Sequence, residues 1–320
     1  MTILILLAGL VLLVAGGELL VRGAVQIAQK FRISPLLIGL TLVGFGTSTP
    51  ELVTSLQAAF AGSPGIAVGN VVGSNIANIL LILGVAALIF PIAIARETFR
   101  RDGIVLAIAT AMCLGAVLIG QLSFWLGAVF VLSLAGYIFY AFQQERRSNA
   151  AADLAAGTMP SDAPGPSAAM IALDLMFVVG GLALTILGAR FLVSSAIEIA
   201  TMFHVSETII GLTIVAVGTS LPELVTSVMA ALRKHGDIAF GNIVGSNIYN
   251  IFGILGVTAM VKPIAVPAQI AALDIWVMIA ATALMFVMAI SRWKISRIEG
   301  GVLLASYTGY CSWLGLNAGV

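Results

Sequence analysis

Two acidic decapeptides dominate the chemistry available to this sequence. GTSTPELVTS occupies 46–55 and GTSLPELVTS occupies 218–227, placing Glu51 and Glu223 within strongly apolar surroundings. A second pair follows, GNVVGSNIAN at 69–78 and GNIVGSNIYN at 241–250. Together they supply carboxylates, the amides of Asn78 and Asn250, and the hydroxyls of Thr47, Ser48, Ser74, Thr219, Ser220 and Ser246. Neither cysteine falls in these segments, and His204 and His235 belong to loops. A cage of hard oxygens with carboxylates selects Ca²⁺, Na⁺ or a similar hard cation over zinc or copper.

Two glutamates give such a site a charge of −2. One Ca²⁺ or two Na⁺ neutralise it, and three Na⁺ leave +1. An empty charged site is costly to carry across a low-dielectric barrier. A carrier built around it should therefore move loaded and stall when empty, which is the behaviour of an exchanger.

The surroundings set the solvent. Of 320 residues, 60% are hydrophobic and 9% charged, against roughly a quarter charged in an ordinary soluble domain. The net charge of +1 offers no field for nucleic acid. The partner this composition demands is a lipid bilayer. Ten apolar stretches can be marked, at 3–28, 34–61, 66–90, 103–120, 122–142, 169–199, 206–232, 238–261, 270–290 and 298–318. The first lacks a basic leader and reads as a retained span. The polar segment 143–168, rich in Ala, Pro and Ser, reads as a flexible linker between a first half, 1–142, and a second, 169–320. Alternate loops hold twelve basic residues on one side and only Lys262 on the other. The basic side is expected to be cytoplasmic, with both termini outside, in a cell (inner) membrane.

The halves repeat at an offset of 172. Residues 44–84 and 216–256 align without a gap and share 25 of 41 positions. Asp102 and Asp274 match at the same offset, as do Pro91 and Pro263. Five spans per half is an odd number, so the second copy should enter the membrane with opposite polarity. The expected fold is an all-α polytopic membrane protein, with ten transmembrane helices in two inverted five-helix repeats and broken helices at the midplane. Inverted repeats of this kind place a transport site between them.

Depth follows from spacing. Glu51 lies sixteen residues beyond Pro35, about 24 Å along a helix, and a turn near Ser63 sets Asn78 at the same level. Glu223 and Asn250 are related in the same way around Gly236. A carboxylate at that depth costs roughly 2.5–3.5 kcal/mol. Ser48-x-x-Glu51 and Ser220-x-x-Glu223 read as capping boxes, and Pro50 and Pro222 remove an N–H each. Both signals break a helix in mid-membrane, where irregular backbone is tolerated only when buried in protein or lining a cavity. In the first span Glu18 and Arg22, four apart, are placed to pair on one helix face.

At these residues the chain resembles the calcium/cation antiporter superfamily, and within it the prokaryotic sodium/calcium exchanger branch. The two decapeptide pairs match that family's alpha repeats. The resemblance implies antiport of Ca²⁺ against Na⁺ by alternating access, with the first and sixth spans sliding against a rigid core. It implies four clustered cation sites around Glu51 and Glu223, lined by Thr47, Ser48, Ser74, Thr219, Ser220 and Ser246. Backbone carbonyls near Gly44 and Ala216 complete the set, and no cofactor is implied. Many relatives carry Asp at one of the positions of Asn78 and Asn250, and here both are Asn, which bears on stoichiometry and K⁺ dependence. The proton-coupled branch has Glu where this chain has Gly73 and Gly245, which disfavours Ca²⁺/H⁺ antiport, the alternative reading. An intramembrane hydrolase would need a positioned water with His or paired Asp, and nothing supplies them, so the chain is expected not to be an enzyme.

Overall fold

The computed structural model describes residues 2–62, 64–155, 167–202 and 216–317. They are almost wholly helical: α1 Thr2–Phe31, α2 Pro35–Thr47, α3 Thr49–Phe60, α4 Gly65–Ile89, α5 Arg96–Ile119 and α6 Phe124–Ala155. The second half contributes α7 Ala168–Met202, α8 Ala216–Thr219, α9 Leu221–Leu232, α10 Gly236–Val261, α11 Ile270–Arg292 and α12 Arg297–Asn317. Helices prevail because a segment in lipid must satisfy its backbone hydrogen bonds internally.

Among the described residues seven helices are long and apolar enough to cross a membrane, or eight if the bent pair α2 and α3 forms one span. The protein is therefore an integral membrane protein, but fewer spans qualify than the ten apolar stretches suggest. The expected span 206–232 is represented by α8 and by α9, which is a short apolar helix, and its residues 206–215 lie outside the described residues. α12 is 21 residues long, but Ser306, Tyr307, Thr308 and Tyr310 dilute its apolarity. The polar segment 143–168 is also not linker throughout: α6 continues as helix to Ala155, and residues 156–166 lie outside the description. Ala-rich sequence favours that continuation.

α1 and α7 pack antiparallel along a stripe of small residues. Gly16 faces Gly181 and Thr185, and a Cβ there would lie 2.5 Å from the Thr185 hydroxyl. Gly9 meets Gly188 and Gly23 meets Asp174 in the same way. Small residues let backbones approach where lipid gives no hydrophobic drive to associate. Lys30 Nζ reaches Asp174 Oδ2 at 2.5 Å, tying the end of α1 to the start of α7.

Glu18 does not pair with Arg22. It forms a forked ion pair with Arg233, with Nε donating to Oε2 at 2.9 Å. Val225 and Met229 of α9 face Gly17, which brings Arg233, one residue beyond that helix, beside Glu18. Arg22 instead lies over the Phe177 ring, 5.5 Å from its centroid.

Two short antiparallel strand pairs, not foreseen in the sequence, join the halves. β1 Ile92–Ala93 pairs with β4 Lys294–Ile295, and β2 Gln121–Leu122 pairs with β3 Ile264–Ala265. β3 stands at offset 172 from β1, so each patch joins an element of one copy to an element of the other.

Candidate functional site

The site is built on two helix breaks. α2 and α3 meet at Ser48 with a bend of 41°, and Ser220 occupies the equivalent position before α9. Pro50 and Pro222 lie in the first turns of α3 and α9, where a missing N–H costs nothing. The expected capping boxes do not form, since neither serine side chain bonds to its own helix. Both hydroxyls reach across to the other copy. Ser48 Oγ donates to Glu223 Oε1 at 2.7 Å, and Ser220 Oγ donates to Glu51 Oε1 at 3.2 Å. A hydroxyl hydrogen donated to a carboxylate makes a strong, charge-assisted bond, and the crossing geometry makes that acceptor available.

Each glutamate is only 1% exposed, and its second oxygen, Oε2, has no hydrogen-bond partner. Asn250 is equally buried, and neither its Oδ1 nor its Nδ2 is bonded. Asn78 donates to Asn247 Oδ1 at 3.2 Å, leaving its own Oδ1 unpartnered. Ser74 Oγ lies within hydrogen-bond distance of the Ser220 hydroxyl oxygen, at 3.4 Å. The carbonyl of Gly44 accepts from Ser246 Oγ at 3.2 Å and from Thr47 Oγ1 at 3.3 Å. Buried polar groups are normally satisfied. A cluster of orphaned oxygens on facing helices is therefore a place where further electropositive partners fit. Thr219 borders two cavities beside the break, and Ala216 opens α8.

Local backbone geometry supports the same centre. α4 widens into a π-helical turn at Asn78–Ile82, and α10 does so at Tyr249–Leu255. Such widenings recur at functional sites, and here they begin at or next to the two asparagines.

Several residues were not singled out in the sequence. Asn70 Nδ2 donates to the Glu51 carbonyl at 3.1 Å and to Ser55 Oγ at 2.9 Å. Asn242 donates to the Glu223 carbonyl at 3.4 Å and to Ser227 Oγ at 2.9 Å. These amides hold each glutamate-bearing helix against its following helix. Asn247 and Thr226 add an unpartnered buried Nδ2 and Oγ1. Their signal was present, because Asn70, Asn75, Ser55 and Thr54 recur at the same offset as Asn242, Asn247, Ser227 and Thr226.

Apolar helices broken over a buried, duplicated oxygen cluster describe a transporter, and comparison with known proteins agrees. The family described as sodium/calcium exchanger protein matches residues 1–143 and 173–316, and the chain belongs to that family. It is similar to the sodium/calcium exchanger MaX1 of Methanosarcina acetivorans, 36% identical over 343 residues and 96% of each chain. It is also similar to the inner membrane protein YrbG of Escherichia coli, 36% identical over 322 residues, covering 98% of this chain and 95% of that one. Among solved structures it resembles the sodium-calcium exchanger NCX_Mj soaked with 2.5 mM Na⁺ and 0.1 mM Ca²⁺, with 31% identity, 96% coverage of each chain and a TM-score of 0.81.

Proposed function

We propose that this protein is a secondary antiporter that exchanges Ca²⁺ for Na⁺ across the membrane by alternating access, and that Glu51 and Glu223 are its central cation ligands. The reciprocal pair Ser48–Glu223 and Ser220–Glu51 carries the reading, because it leaves one free oxygen on each buried carboxylate. Asn78, Asn250, Thr47, Ser74, Thr219, Ser246 and the carbonyls of Gly44 and Ala216 are assigned to the same cage. Oxygen ligands of this number and kind suit Ca²⁺, and the −2 charge suits either one Ca²⁺ or two to three Na⁺. The similarity to the sodium/calcium exchangers MaX1 and NCX_Mj supports Na⁺ and Ca²⁺ as the cations.

The proposed architecture is ten spans in two inverted five-helix repeats, with both termini outside and the basic loops in the cytoplasm. The strand pairings support it. In that plan β1 and β4 belong to loops of the cytoplasmic face, and β2 and β3 to loops of the outer face. A non-inverted copy would put these partners on opposite sides of the bilayer. An inner-membrane location is supported by the name of YrbG.

The test is Ca²⁺ uptake by proteoliposomes under an imposed Na⁺ gradient and, separately, a pH gradient. Na⁺-driven uptake with no response to pH alone is expected. Uptake driven by the pH gradient and indifferent to Na⁺ would replace this reading with Ca²⁺/H⁺ antiport.

A further inference from the structure

One carboxylate shared by both copies is held differently in each. Asp102 and Asp274 match at offset 172, and each accepts a tyrosine hydroxyl, from Tyr137 at 2.9 Å and Tyr310 at 2.8 Å. Only Asp102 is neutralised. Arg101 donates to it twice, at 2.6 and 3.0 Å, and both side chains are buried. The residue matching Arg101 in the second copy is Leu273. Asp274 accordingly makes no ion pair among the described residues.

Asp274 lines a cavity of about 340 Å³ near the β2–β3 face. The same cavity reaches Ser74 and Thr219, which belong to the proposed central cage. A second cavity, of about 560 Å³, also reaches Thr219, but Arg190 lines it. A low-dielectric passage concentrates ions opposite in sign to its wall charge. Cations therefore favour the passage holding the Asp274 carboxylate over the one holding the guanidinium.

We propose that Asp274, with the Tyr310 hydroxyl, forms an antechamber site for hard cations, Na⁺ or Ca²⁺, on the route between the β2–β3 face and the central cage. The site exists on one side only, because Arg101 occupies the matching carboxylate on the other. The cation's identity rests on the exchange reading above, whereas the cavity's preference for positive charge does not.

The native cysteines permit a test independent of transport. Cys311 is exposed and lines the same cavity, whereas Cys113, the only other cysteine, is buried. The full-length protein in lipid nanodiscs is reacted with a positively and a negatively charged methanethiosulfonate of similar size. The cationic reagent should modify Cys311 faster, by roughly threefold to tenfold after correction for intrinsic reactivity. Asp274→Asn should remove most of that preference, and Tyr310→Phe, which keeps the carboxylate, should retain it. No charge preference in the wild type, no reaction at Cys311 with either reagent, or a preference that survives Asp274→Asn would each overturn the proposal. In proteoliposomes, Asp274→Asn should also raise the half-saturating Ca²⁺ on the β2–β3 face by roughly threefold or more, and an unchanged value there would overturn the link to the central cage. Failure of the wild type to take up Ca²⁺ on a Na⁺ gradient would sink the exchange reading, and the thiol ratio would still decide whether the cavity selects cations.

Discussion

Ser48 donates its hydroxyl hydrogen to Glu223 at 2.7 Å across 175 residues of sequence, and Ser220 returns the same bond to Glu51. Each helix break thus holds the carboxylate of the other copy. The remaining oxygen of each glutamate stays unbonded in the protein interior. Removing any one of these four groups should therefore disturb both halves of the site.

Glu51→Gln and Glu223→Gln should each reduce Na⁺-driven Ca²⁺ uptake to the level of protein-free liposomes. Glutamine preserves shape but removes one of two negative charges facing a divalent cation. Uptake is measured beside size-exclusion behaviour, and near-normal uptake by a well-folded variant would take that residue out of the site.

The crossing bonds predict coupling between the copies. Ser48→Ala should raise the half-saturating Ca²⁺ by roughly tenfold or more, since a hydrogen bond to a charged group is worth about 1.5–3 kcal/mol. Ser48→Ala should add little to Glu223→Gln, whose acceptor is already altered, while its effect should persist in a Glu51→Gln background. Thermal unfolding of the single and double variants gives the comparison. Simple additivity for the Ser48 and Glu223 pair would show that the bond carries no energy.

Exchange of three Na⁺ for one Ca²⁺ moves one net charge. A membrane potential should then bias the direction of flux by about 2.3 kcal/mol per 100 mV if the whole field is crossed. Proteoliposomes clamped with a K⁺ diffusion potential report this, and flux indifferent to voltage would point to two Na⁺ per Ca²⁺.

Asn250→Asp should make transport more sensitive to acid. Asn250 is buried with its whole amide unbonded, so a third carboxylate there offers protons another position at which to compete with cations. Ca²⁺ uptake against pH should fall more steeply for the variant than for the wild type, and Asn78→Asp should behave alike. Superimposable profiles would put Asn250 outside the carboxylate cluster.

The seam between α1 and α7 should not tolerate a side chain at Gly16. A Cβ there would lie within 2.5–2.7 Å of the Thr185 hydroxyl, its backbone nitrogen and the Gly181 carbonyl, so Gly16→Val should destabilise the protein by about 1–3 kcal/mol. Gly309→Ala meets open space and should change stability by less than about 1 kcal/mol. Thermal melts in detergent separate the two, and equal melting temperatures would mean that the seam is not tightly packed.

Much of this protein is legible from residue type and spacing alone. Long apolar runs determine a helical membrane protein, because lipid leaves few other ways to bond a backbone. The 172-residue offset picks out both glutamates, and their neighbours' oxygens define the class of ion. Asn70 and Asn242 could have been found by the same offset, but nothing in one strand of sequence says that an amide turns back to the carbonyl of Glu51 or Glu223. What the tertiary structure decided is which groups meet. Ser48 reads locally as an acceptor for an N–H of its own helix, yet it donates to Glu223, because the fold brings that buried carboxylate within 2.7 Å of its hydroxyl and a bond to a charged acceptor is strong. Glu18 reads as a partner for Arg22, yet α9 delivers Arg233 to it. Arg101 and Leu273 look like an ordinary divergence between copies until Asp102 is found clamped and Asp274 left facing a cavity. Contacts between residues more than a hundred positions apart have no period to betray them, so only the packed halves could specify them.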